Sequence, residues 1–194
     1  LQAAQVRDES PSELIARGES LLQQAQNDPL ARFELHKRLS NLKYSSGDIA
    51  GAAEQGRLAL AINPNDLELL NNVAFFLAKY LDRVDEAVPF AQRAAQLAPE
   101  NADVLDTVGV VYLLNGDLSR ASDLFERALR FARTQEQRLP ANVHMADAML
   151  RNNAAESARA YIEAAERLLP VVSESVRDTY APEVEELRSR LDNR

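Results

Sequence analysis

Two histidines and one short acidic run are the residues whose types could carry chemistry. His36 and His144 lie far apart in the chain and belong to no HExxH pair. The chain has no cysteine, so there is no thiol nucleophile, disulfide or Cys-ligated zinc. No G-x-S-x-G elbow, Walker loop or Gly-rich dinucleotide turn occurs either. Glu183, Glu185 and Glu186 could supply paired carboxylates for general acid–base work, but among so many charges they read as a solvated helix face. The histidines read as structural or surface residues. Nothing here organises a reaction: the chain reads as a non-enzyme with no catalytic residue, metal site or cofactor.

Composition narrows the class further. An excess of 30 acidic over 22 basic residues leaves a formal charge of −8, which opposes non-specific nucleic-acid binding because that needs a basic surface to displace counterions. The apolar share of 46% is that of a folded protein and argues against disorder. No apolar run is long enough to cross a bilayer, so no membrane span is expected. The chain starts at Leu1 without a signal-peptide pattern, which reads as a processed protein or a piece of a longer one.

What the sequence does organise is helix packing. Between Asn101 and Arg133, Leu105, Val108, Gly109 and Tyr112 recur at helical spacing, followed by Ala121, Phe125 and Ala128. Asn115-Gly116-Asp117 separates the two sets, with glycine suited to end one helix and aspartate to cap the next. Two antiparallel helices are predicted, with small residues where their backbones approach. This stretch resembles a tetratricopeptide repeat, whose bulky, Leu, Gly, Tyr, Ala, Phe, Ala, Pro pattern it matches up to the last position, where Arg133 stands.

The register recurs along the chain. Ala52, Ala87, Ala121 and Ala158 are separated by 35, 34 and 37 residues, and Ala59, Ala94, Ala128 and Ala165 keep the same separations. So do Pro64, Pro99, Arg133 and Pro170. The predicted organisation is a lead-in with a partial repeat or capping helix (1–32), four repeats (33–65, 66–101, 102–135, 139–172) and a C-terminal capping helix (173–194). One extra residue is placed in the second repeat's turn near Leu81-Asp82-Arg83. Thr134 to Arg138 is an insertion expected to lengthen the helix before it, and Pro182 interrupts the apolar pattern of the terminal cap. Each repeat can bury its apolar stripe only against its neighbours, so the fold class is all-α: a right-handed superhelical solenoid of antiparallel helix pairs.

The resemblance also implies a binding surface, because the first helix of each pair lines the concave face on which such repeats hold peptides or helices. The partner-binding positions are then Lys37, Asn41, Tyr44, Asn71, Asn72, Phe75, Asp103, Asp106, Val110, Val143 and Asp147. In the chaperone-binding branch of the family, a clamp of Lys and Asn, then Asn, then Lys and Arg holds a peptide carboxylate. Lys37, Asn41 and Asn72 fall on the first three clamp positions, but Asp103 and Thr107 stand where two basic residues belong, so the clamp is broken. Acids on this face favour a basic or neutral ligand over an acidic one. Phe75 and Val110 are apolar at positions facing solvent, and read either as an anchor site or as packing against the neighbouring first helix.

From Pro64 to Leu169 the strings LELLNNVAFFLAKYL, LAPENADVLDTVG and HMADAML are similar to repeat proteins of bacterial exopolysaccharide and PEP-CTERM protein-sorting systems. That resemblance implies a periplasmic or envelope-associated scaffold for protein or peptide ligands, with the cytoplasm as the alternative setting. The competing reading is a structural spacer or self-association segment of a larger protein, with homo-oligomerisation left open.

Overall fold

The protein is described by a computed structural model over residues 10–193; the lead-in expected at 1–9 lies outside the described residues. Ten α-helices follow one another there: α1 (Pro11–Gln24), α2 (Pro29–Ser45), α3 (Ile49–Ile62), α4 (Leu67–Phe75), α5 (Val84–Leu97), α6 (Ala102–Leu114), α7 (Leu118–Phe131), α8 (Gln135–Arg151), α9 (Ala155–Leu168) and α10 (Glu174–Asp192). Short polar side chains fix most starts. Asp28, Asp48, Asp66, Asn101, Asp117 and Thr134 each accept a hydrogen bond from a first-turn N–H, which would otherwise lack a partner.

The turns inside three of the helix pairs share one closing device. The N–H of Asp48 bonds the carbonyl of Lys43, that of Asp117 bonds Tyr112, and that of Ala154 bonds Met149, all at 2.9 Å. This closure needs a left-handed residue just before the donor, supplied by Gly47 (φ 85) and Gly116 (φ 81). In the last pair Asn153 takes that place at φ 58, a conformation asparagine tolerates better than most residues.

Helix pairs α2/α3, α4/α5, α6/α7 and α8/α9 stack in sequence, and first helices pack on first helices from α4 through α6 and α8 to α10. The alanines that set the register are the contact points: Ala52, Ala87, Ala121 and Ala158 are all 0% exposed. Volume is matched across each pair. The Phe125 ring of α7 lies where a Cβ on Gly109 of α6 would go, whereas Gly56 of α3 leaves its space to Val73 and Ser40. Ser40, occupying the Gly109 position of its repeat, returns its hydroxyl to the carbonyl of Ala52 at 2.8 Å.

Two local expectations are corrected. The extra residue of the second repeat sits inside the helix end, as a π-helical turn over Phe76–Tyr80 in which the Leu81 N–H reaches back to Phe76 at 3.2 Å. Helix α7 ends at Phe131, so the insertion lengthens the following helix instead, because Thr134 Oγ1 caps α8. Helix α10 runs through Pro182, whose exposed position lets the freed backbone carbonyl turn to solvent.

Candidate partner-binding groove

The first helices form the inner wall of the stack, and its two ends differ. At the open end, α2, α4 and the π turn that follows α4 bring four aromatic rings together. Tyr44 stacks on Phe76 with ring centres 4.7 Å apart, Phe75 meets Tyr80 edge-on at 5.6 Å, and Tyr44 and Tyr80 lie 6.5 Å apart. Phe76 is buried and Phe75 half-buried against the core, while Tyr44 and Tyr80 remain 42% and 46% exposed. The π turn sets this arrangement, since one added residue rotates Lys79 and Tyr80 relative to an uninterrupted helix. Burial is the main reason the Tyr80 phenol is pushed up to about 12; the Tyr44 hydroxyl and the Glu183 carboxylate add to it.

The clamp-like residues are engaged within the chain. Lys37 Nζ lies 2.9 Å from Asp66 and 2.8 Å from Glu68, and the Asn41 amide donates to Glu68 at 3.4 Å. Asp103 is exposed and accepts from the Gln137 amide at 2.9 Å. Asn71 and Asn72 are half-buried on the α4 wall, and the Asn71 Oδ1 is enclosed without a hydrogen-bond partner. The first three clamp positions therefore present no free cation, and the fourth presents an acid.

Helix α10 takes the place of a further first helix on α8 and α9 and closes the groove from there as far as Lys79, beside the aromatic cluster. Glu183 reaches across to Lys79 at 3.1 Å, joining residues 104 positions apart, and Arg190 meets Asp147 at 2.8 Å. Arg151 holds the same aspartate at 2.9 Å. Beneath these pairs lies a cavity of about 260 Å³, with Val110, Leu114, Val143 and Leu187 among its apolar walls. Glu183 is thus half-buried and paired, not part of a freely solvated face.

Three expected contact residues are buried there. Val110 and Val143 are 2% and 1% exposed: Val110 shares a core with Phe125 and Met145, and Val143 shares one with Val184 and Leu187 of α10. Asp106 is buried as well, and it binds His144. The imidazole Nδ1–H donates to both carboxylate oxygens of Asp106, at 2.9 and 3.1 Å, with the rings of Phe125 and Tyr180 packed nearby at 5.7 and 6.0 Å. Both residues stand out in the sequence, but their meeting does not. The one signal for it is that they occupy nearly equivalent positions of adjacent first helices. His36 is likewise buried, its Nδ1 2.8 Å from Gln55 of α3, so it ties one helix pair together.

The comparisons bear on the fold. Residues 66–134 match the model of the tetratricopeptide repeat family. None of the curated proteins compared matches the chain in sequence. Among solved structures, MamA (residues 41 to the end) from Desulfovibrio magneticus RS-1 superposes with a TM-score of 0.71 at 17% identity, covering 87% of this chain and 91% of that one. TTC0263, a thermophilic tetratricopeptide-repeat protein of Thermus thermophilus, gives 0.63 at 21% identity with 90% of each chain covered. PilW, described as a widely conserved type IV pilus biogenesis factor, gives 0.64 at 21% identity, covering 92% of this chain and 83% of its own. Residues 66–134 thus carry the tetratricopeptide-repeat pattern, and the fold shared across most of the length is an all-α right-handed solenoid of antiparallel helix pairs similar to those repeat proteins.

Proposed function

We propose that the chain is a protein-binding scaffold that receives a peptide or helix of a partner on the open end of its groove, within a bacterial envelope assembly. One observation carries the reading: Tyr44 and Tyr80 stand exposed on the inner wall over a fixed base of Phe75 and Phe76. Rigid aromatic anchors of this kind dominate binding energy, since little side-chain freedom is lost when a partner covers them. Asn41, Asn72 and Asp103 flank them as polar positions that can orient a ligand. The envelope setting is supported by the exopolysaccharide-system strings in the sequence and by the likeness to a pilus biogenesis factor.

The test is affinity capture from envelope extracts of the source organism, with wild type beside Tyr44→Ala/Tyr80→Ala and a convex-face control, Glu163→Ala. The expected result is a partner held by wild type and the control and lost by the double variant. Equal capture by all three would remove the function from the groove.

Self-association is the second reading, and α1 favours it. Among the described residues none of α1 is buried, and Leu14, Ile15 and Leu22 are half-exposed on that end of the stack. Sedimentation of the wild type against Leu14→Glu/Leu22→Glu decides it, with a fall in mass expected only if this end joins copies.

A further inference from the structure

We propose that the open end of the groove is a receptor for a cationic side chain, arginine above all, carried by a segment of the partner protein; this rests on the groove-binding reading above. The geometry comes first. Tyr44 and Tyr80 present two rings 6.5 Å apart and inclined by 46°, each held from behind by a phenylalanine. The negative faces of such rings attract a cation, and a planar guanidinium also stacks on them. The chain makes the same contact on its outer side, where the Arg120 guanidinium carbon lies 5.4 Å from the centre of the Tyr112 ring.

The charge of the groove selects the same class. Its cations are already engaged: Lys37 by Asp66 and Glu68, Lys79 by Glu183, and Arg151 and Arg190 by Asp147. Asp103, by contrast, is held by the neutral Gln137 amide. The field of these acids is felt by phenols on both walls. Beyond burial, the largest cause, Glu183 raises Tyr80, and Asp106 and Glu183 raise Tyr180. A partner carboxylate would meet acids, with each of these cations already taken. A partner guanidinium would sit on the tyrosine faces, and the net charge of −8 would steer it there.

The chain has five tyrosines, so isotope labelling of their rings lets each be followed by NMR. The probes are alanine-based helical peptides carrying arginine, lysine, glutamine or glutamate at the same positions. The arginine peptide is expected to move the Tyr44 and Tyr80 signals, leave Tyr112 and Tyr161 in place, and bind about tenfold tighter than the glutamine peptide. Added salt weakens it, and Tyr44→Leu/Tyr80→Leu, which keeps apolar bulk without the ring faces, abolishes the preference. Equal affinity of the arginine and glutamine peptides at these rings would overturn the inference while leaving the groove reading intact. No shift at Tyr44 or Tyr80 with any peptide would also overturn it, and the capture experiment then judges the groove reading separately.

Discussion

Adding one methyl group at Gly109 tests how the helix pairs are fitted together. A Cβ there would meet three carbons of the Phe125 ring at 3.0 Å or less, and that ring is 0% exposed, so it has no open side to retreat to. Two terms of opposite sign decide the outcome. Alanine stabilises a helix interior by roughly 1 kcal/mol over glycine. Overpacking a close-fitted core costs about 1–3 kcal/mol. Gly109→Ala should therefore leave the protein roughly 0–2 kcal/mol less stable, whereas a simple propensity argument predicts a gain of about 1 kcal/mol. Urea denaturation followed by helical circular dichroism measures this, the chain having no tryptophan for fluorescence. Combining Gly109→Ala with Phe125→Leu removes the colliding ring edge, so the double variant should lose about 1 kcal/mol less than the two single changes together. A gain of about 1 kcal/mol for Gly109→Ala, or strict additivity in the cycle, would refute this packing argument.

Other perturbations read different parts of the structure. Gly116→Ala and Asn153→Ala each place an ordinary residue at positive φ, and each should lower the urea midpoint by the equivalent of about 1 kcal/mol. Asp106→Leu strands the buried His144 ring and should cost roughly 2–3 kcal/mol, while Asp106→Leu/His144→Leu should restore much of it. Alkaline pH tests the tyrosines. The folded Tyr80 phenol holds its proton to about 12 against an ordinary 10.0, so its contribution is fully present below pH 10 and is lost as pH rises toward 12. Tyr180 is raised as well, so Tyr80→Phe/Tyr180→Phe should flatten the fall in stability above pH 10. An unchanged alkaline slope would show that these rings are not held as described.

The stack is legible in the sequence because its signals are local and repeated. Alanines at fixed separations, polar caps and glycine turns each report one helix pair, and those alanines lie at the closest contacts. Position 153 shows how the same turn survives a change of residue, since asparagine can reach the glycine conformation. The groove is legible only in part. Tyr44 and Phe75 follow from their place on the first helices, but Tyr80 depends on a one-residue π turn that shifts the end of α4. Val110 and Val143 hold the positions of contact residues yet are buried, because neighbouring repeats and α10 cover them, which no pattern within one repeat reveals. The Lys79–Glu183 pair and the Asp106–His144 pair likewise require knowing how distant helices approach across the stack.

The groove is tested most directly by placing a photo-crosslinking phenylalanine at Tyr44, at Tyr80, or at the convex-face Glu163, and irradiating each variant in extracts of the source organism. Positions 44 and 80 should yield the same discrete protein adduct, suppressed by excess unmodified chain, with none from position 163. An adduct formed from position 163 and absent from 44 and 80 would contradict the account.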